Sequence, residues 1–221
     1  MVPLTRHGWR EMLVGTVVLG VIAAIFSFIW HPLALIVLPF WIFLFAFFRD
    51  PERPIPADPL AVVSPADGTV SDITEINHDA LLGGPAIRIG IFLSVFNCHI
   101  NRSPLDGRVR ETRYKKGKFI NAMRHDEAST QNESNTIILD DPKTDQPVAV
   151  VKQIVGLIAR RIVCTIKKGD SVSRGERIGM IKFGSRTELY LPKRLGPVVK
   201  VTIGQAVKGA KDVVAVLGKP I

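Results

Sequence analysis

Apolar and polar positions divide the chain into two regimes. From Met12 to Phe48 the sequence is almost continuously apolar, and His31 is its only ionisable side chain. Met12–Trp30 is long enough to cross a hydrocarbon core of roughly 30 Å as a helix. His31-Pro32 interrupts the pattern, and Leu33–Phe48 forms a second, shorter run carrying Pro39. This second run spans, tilts or re-enters. Arg6 and Arg10 precede the first run, while Arg49 and Arg53 follow the second. Positive charge at both ends predicts a membrane hairpin whose two ends lie in the cytoplasm. A second apolar run directly after the first, with no obvious small-residue cleavage site, argues for a retained anchor over a removed signal peptide. The expectation is a membrane-anchoring segment over residues 1–50 and a globular domain over 51–221, held at the cell membrane on its cytoplasmic side.

Beyond the proline-dense linker Pro51–Pro59, short β-branched runs alternate with turn signals. Strands are predicted over Ala61–Val63, Thr69–Ile73, Ala86–Leu93, Arg108–Arg113, Asn135–Leu139 and Val148–Gly156. Further strands are predicted over Ile162–Ile166, Arg177–Ile181, Thr187–Leu191 and Val198–Ile203. Asp67-Gly68, Gly83-Gly84 and Asp106-Gly107 mark turns. A single short helix is predicted over Lys118–Asp126. The fold class is therefore mainly β, a barrel-sandwich-like domain behind an N-terminal hydrophobic hairpin.

Composition narrows the partners. The formal charge is +9, yet no basic run is interleaved with aromatics for stacking on bases. Nucleic acid is not expected. Next to an apolar anchor, a basic surface suits anionic lipid headgroups, at about 1 kcal/mol per Lys or Arg near the bilayer. Cys98 and Cys164 lack metal or redox spacing and read as small buried hydrophobes in strands. No metal site is expected.

The stretch Lys167-Lys-Gly-Asp-Ser-Val-Ser-Arg-Gly-Glu-Arg-Ile-Gly179 has the hairpin rhythm of the barrel-sandwich fold of biotinyl and lipoyl carriers, with glycines at tight turns. No lysine at a hairpin tip is identifiable for modification, so the likeness is architectural. Directly after it comes Phe183-Gly-Ser-Arg186. Alone, Gly184-Ser185 is a turn dipeptide, and it is not a nucleophile elbow, because Gly-x-Ser-x-Gly is absent.

Three further blocks precede it: Phe48-Phe-Arg-Asp-Pro-Glu-Arg53, Val63-Ser-Pro-Ala-Asp-Gly68 and Phe92-Leu-Ser-Val-Phe-Asn-Cys-His-Ile-Asn-Arg-Ser-Pro104. In this order and spacing the five blocks closely resemble the phosphatidylserine decarboxylase family, in its short form with a Gly-Ser-Arg processing site. The likeness covers nearly the whole chain.

That resemblance implies a self-processing proenzyme. Ser185 Oγ would attack the Gly184 carbonyl, and β-elimination and hydrolysis would leave a pyruvoyl group in place of Ser185. The products would be a β chain of residues 1–184 and an α chain of 185–221, a heterodimer of the protein's own pieces, with any higher assembly open. The pyruvoyl cofactor would take the amine of phosphatidylserine as a Schiff base and act as electron sink for loss of carbon dioxide. By the same resemblance, Asp67 and His99 supply the activating pair.

The sequence departs from longer family members at two points. They carry two histidines three residues apart, whereas here His99 takes the first place and Arg102 the second. Either His99 serves both steps, or Asp67 acts with another base. Arg102 would then bind the substrate carboxylate or phosphate. The other departure is Asn132-Glu-Ser-Asn135, where Asn-Glu-Arg-Asn is expected. Two rival readings are a decarboxylase of archaetidylserine-type lipid and a non-catalytic membrane-anchored barrel-sandwich adaptor. The adaptor usually carries a long heptad hairpin, and none is present.

Overall fold

The computed structural model describes residues 3–123, 125–157, 161–182 and 185–219. The chain forms two compact units, Met1–Glu52 and Arg53–Ile221. In the first, helix α1 (Trp9–Ile29) is apolar, and none of its residues is buried. Its 21 residues rise about 1.5 Å each, enough for a bilayer core. The second apolar run is not one spanning helix. It divides into a 3-10 segment, His31–Val37, and α2 (Leu38–Phe47). Pro39 sits in the first turn of α2, where its missing N–H has no intrahelical partner to lose. A side chain on Gly15 would press on Leu44, a close approach that only a small residue permits. The ends of this unit meet: Leu4 bridges Arg49, and the Asp50 N–H donates to the Pro3 carbonyl at 2.7 Å.

The second unit is built of short strands. They begin with β1 (Ala61–Val63), β2 (Gly68–Asp79), β3 (Gly84–Leu93), β4 (Ile100–Arg102) and β5 (Gly107–Lys115). Helix α3 (His125–Gln131) is followed by β6 (Ser134–Asp140), β7 (Pro147–Val155) and β8 (Arg161–Cys164). The Gly-Asp hairpin supplies β9 (Ser171–Val172) and β10 (Arg177–Lys182), which leads to β11 (Ser185–Pro192). The chain closes with β12 (Val198–Val199), β13 (Ala206–Val207) and β14 (Val213–Val216). Among the described residues the largest sheet runs β13-β2-β3-β11-β7-β6-β5-β9, antiparallel at every pairing. It curls around a core that includes Ile89, Ile91, Val109, Ile137, Val151, Leu189 and Leu191. Two small sheets, β1-β14-β12 and β4-β10-β8, complete the unit. The fold is mainly β, as the β-branched runs and their turn signals predict.

Three local expectations change. The predicted helix Lys118–Asp126 is displaced to α3, where Asp126 and Glu127 occupy the first turn and suit the positive end of the helix dipole. The Lys118 N–H instead donates to the Gln131 carbonyl at 2.8 Å. Cys98 is buried, but in the loop before β4 and not in a strand. The predicted strand Val198–Ile203 contracts to β12, because the chain turns at Gly204, whose φ is +88°.

The glycine-rich hairpin holds the linker. Arg174 donates from Nη1 to the Ala61 carbonyl at 2.9 Å and from Nη2 to the Pro56 carbonyl at 2.8 Å. Gly175 beside it has φ +81°, which favours glycine.

Candidate active site

β11 lies between β3 and β7, so its first residue, Ser185, pairs with Leu93 on one side and Val155 on the other. Ser185 is fully buried, and its Oγ has no hydrogen-bond partner among the described residues. Leaving a buried hydroxyl unpaired costs about 1–3 kcal/mol, and such groups call for an explanation in function. Gly184, the other half of the expected cleavage site, lies outside the described residues.

Asp67 immediately precedes β2. Thr69 pairs with Phe92, and Phe92 with Arg186, so Asp67 and Ser185 lie at one end of the sheet with β3 between them. Two strand spacings put their backbones roughly 10 Å apart. The Asp67 carboxylate is half of a nearly buried ion pair, accepting from Arg53 Nη2 at 2.7 Å. Its other oxygen accepts from the Gly209 N–H at 2.8 Å. It therefore bridges the linker to the C-terminal segment and does not close a local Asx-turn.

His99 is fully buried in the loop joining β3 to β4. The loop is shaped by Asn97 Oδ1, which accepts from the Ser94 N–H at 2.8 Å and the Ser94 hydroxyl at 2.9 Å. His99 Nδ1 lies 2.9 Å from the Asn97 carbonyl. A carbonyl can only accept, so Nδ1 carries the proton and Nε2 is the basic nitrogen of the neutral ring. The His99 carbonyl accepts from the Ile181 N–H at 3.2 Å, which fastens the loop to β10 shortly before Ser185.

A buried amide network ties these parts together. Asn101 Nδ2 donates to Thr187 Oγ1 at 3.0 Å, while Gln153 Nε2 donates to Asn101 Oδ1 at 2.9 Å. Asn135 Nδ2 donates to Gln153 Oε1 at 2.9 Å. His99 and Ser185 each stand two residues from the Asn101–Thr187 bond. In a pleated strand Thr187 shares the face of Ser185. Asn132 frames the same edge: its amide exchanges two 2.8 Å bonds with Ile120 and donates to the Val155 carbonyl at 2.9 Å. Val155 is the residue paired with Ser185.

The phosphatidylserine decarboxylase family model matches residues 40–215. The chain belongs to that family. It is 42% identical over 219 residues to the phosphatidylserine decarboxylase proenzyme of Burkholderia vietnamiensis, covering 97% of this chain and 96% of the relative. It is similarly 43% identical over 215 residues to that of Cupriavidus metallidurans, covering 96% and 94%. Membership makes the chain a decarboxylase of the proenzyme type, and the blocks read from the sequence fall within the matched span.

In this decarboxylase Arg102 is buried on β4, and its Nη1 donates to the Gly175 carbonyl at 3.0 Å. Ser134, which stands where the longer family pattern has arginine, is buried at the start of β6. No group of three or more His, Cys, Asp or Glu positioned for a metal occurs among the described residues.

The sequence reading missed the opposite face of β11. Arg186 and Glu188 are both fully buried there and pair at 2.8 Å. Glu188 also accepts from Tyr190 Oη at 2.7 Å and Ser129 Oγ at 2.9 Å. Arg186 reaches across to Ser71 and Asp72 on β2, and Asp72 pairs with Arg88 at 3.2 Å. Burial works to raise the Asp72 carboxyl pKa, but Arg186, Ser71 and Arg88 together bring it below the usual value. Burial lowers Lys152, and nearby Lys115, Arg88 and Arg186 add to that against the pull of Glu188. Burial and Glu188 push the Tyr190 hydroxyl well upward. The one signal available in the sequence was the alternation Arg186-x-Glu188-x-Tyr190, polar where the main core face carries Leu189 and Leu191.

Proposed function

We propose that this chain is a phosphatidylserine decarboxylase proenzyme that cuts itself between Gly184 and Ser185 and decarboxylates phosphatidylserine to phosphatidylethanolamine. The buried, unpartnered Ser185 Oγ at the first position of β11 is the observation that carries this reading.

His99 Nε2 takes the Ser185 proton, and Oγ attacks the Gly184 carbonyl carbon, turning the amide into an ester as the amine of residue 185 is freed. Glycine suits the attacked position because it lacks a Cβ and leaves its carbonyl approachable. Loss of the Cα proton then breaks the Cβ–O bond and releases Gly184 as a carboxylate. Water replaces the resulting enamine nitrogen, which leaves as ammonia, and residue 185 becomes a pyruvoyl group. That ketone supplies an electrophile for the substrate amine and a sink for the electrons released with carbon dioxide. Pairing of β11 with β3 and β7 holds residue 185, and the Asn101–Thr187 bond sets β4, and with it His99, against the same strand.

Asp67 keeps a negative charge at this end of the sheet that favours the imidazolium formed at His99. Arg102 binds the carboxylate or phosphate of the substrate, with its contact to Gly175 orienting the guanidinium fork. The N-terminal unit anchors the protein in the cell membrane, with the catalytic unit on the cytoplasmic side. Arginines at both ends of the hairpin, and the meeting of those ends, support this orientation. The mature enzyme is a heterodimer of residues 1–184 and 185–221. A Ser185→Ala variant in phosphatidylserine vesicles is expected to stay full length and release no carbon dioxide. Decarboxylation by that variant would refute the role of Ser185.

A further inference from the structure

Arg186 is fully buried one residue from the proposed cut, yet it lies on the face of β11 away from Ser185. Its guanidinium is gripped from two strands. Nε donates to Glu188 Oε1 on β11 at 2.8 Å, Nη1 donates to Ser71 Oγ, and Nη2 donates to Asp72 Oδ1. Two features of the neighbouring strands make room for this grip. The β2–β3 register slips between Val70 and Asp72, a bulge that lets the adjacent Ser71 and Asp72 reach the same guanidinium. On the intervening strand Gly90 lies beneath it, where a Cβ would overlap both Arg186 Nη2 and Asp72 Oδ1.

Buried ion clusters are weak devices for stability, since desolvation offsets most of their attraction and an apolar cluster would serve as well. Their better-attested use is to fix one geometry. At this position a geometry needs fixing. Once the 184/185 bond is cut, residue 185 is the first residue of a chain, and chain ends fray unless tied down. A reacting ketone displaced by about 1 Å can cost on the order of a hundredfold in rate.

We infer that Arg186, seated over Gly90 and held by Ser71, Asp72 and Glu188, is a positioning residue that pins the new chain terminus after self-cleavage. The inference rests on the Ser185 reading above. Before the cut, the peptide bond to Gly184 and the flanking strand β10 also hold residue 185. After it, the guanidinium clamp takes that share of the load.

The test uses full-length Arg186→Lys, Gly90→Ala and Ser71→Ala proteins in phosphatidylserine vesicles, with wild type alongside. Lysine keeps the charge but loses the fork, alanine at 90 crowds it from below, and alanine at 71 removes one acceptor. For Arg186→Lys and Gly90→Ala the expected result is self-cleavage within about threefold of wild type and a kcat lowered about 10- to 100-fold, with KM little changed. Hydrogen exchange at residues 186–190 should rise only in the cleaved form. Ser71→Ala should move the same way by a smaller factor. Cleaved variants with wild-type kcat and wild-type exchange would overturn the inference. So would a variant with native melting temperature that fails to cleave, since the clamp would then act before the cut. If Arg186→Lys and Gly90→Ala do not fold, an unchanged kcat in Ser71→Ala overturns it alone. Wild-type protein that stays full length would instead sink the Ser185 reading.

Discussion

Ser185 and Arg186 are neighbours on one strand and face opposite sides of the sheet. The serine shares its face with Thr187, which accepts from Asn101 as Asn101 in turn accepts from Gln153, and the guanidinium lies in the cluster of Asp72, Glu188 and Arg88. Strand pleating makes this division unavoidable. It puts the proposed chemistry on one face of β11, while the other face carries the buried ion pairs that tie β11 to β2.

Removing one partner of that cluster should be costly. Glu188→Ala leaves a buried Arg186 without the acceptor for its Nε, and breaking such a pair typically costs about 3–5 kcal/mol. Urea denaturation near neutral pH should show the loss as a lower midpoint. Glu188→Gln, which keeps an acceptor, should lose less. An unchanged midpoint in the alanine variant would contradict the assignment.

The cluster also sets an acid limit. The Asp72 carboxyl titrates lower in the folded protein than its ordinary value of 3.8. The unfolded chain therefore takes up this proton first as pH falls. The stabilisation is fully present above the ordinary value and is lost as pH drops through the folded one. Melting of wild type against Asp72→Asn should show a constant gap near neutrality that narrows below about pH 4. A gap that widens on acidification would reverse the sign.

Thr187→Val tests the amide layer. It removes the acceptor of Asn101 Nδ2 at nearly constant volume, leaving a buried amide short of a partner at a cost of about 1–3 kcal/mol. Because the same bond sets β4 against β11, self-cleavage should also slow. A variant that loses stability but cleaves at the wild-type rate would separate the layer from the chemistry.

Arg53→Gln tests the hold on Asp67. With the ion pair gone, the carboxylate keeps only the Gly209 N–H and loses its fixed position at this end of the sheet, and maturation followed by gel should slow about tenfold or more. Asp67→Asn should behave alike. Normal processing in both would remove Asp67 from the mechanism.

Much of this was legible in the residues. β-branched runs bounded by turn signals marked β3, β7 and β11, whose residues are largely buried, and the Gly-Asp rhythm marked the hairpin before the serine. Short strands such as β4 and β13 carry too few residues to form such a run. Helix α3 was misplaced because its first turn carries Asp126 and Glu127, while Lys118, where the predicted helix begins, is claimed by backbone bonds with Gln131 and Glu133. The Arg186–Asp72 pair joins residues far apart in sequence and exists only through the β2 bulge and the vacancy at Gly90. No local pattern announces such a contact. Asp67 and His99 were singled out by family likeness alone; register and the amide layer supply the physical link of each to the strand of Ser185.

The most direct measurement is the intact mass of the purified wild-type protein, before and after borohydride reduction. The expected result is two chains, residues 1–184 and a fragment from residue 185 whose blocked terminus gains two hydrogens as its ketone is reduced. A single species of 221 residues, unchanged by borohydride, would contradict the account.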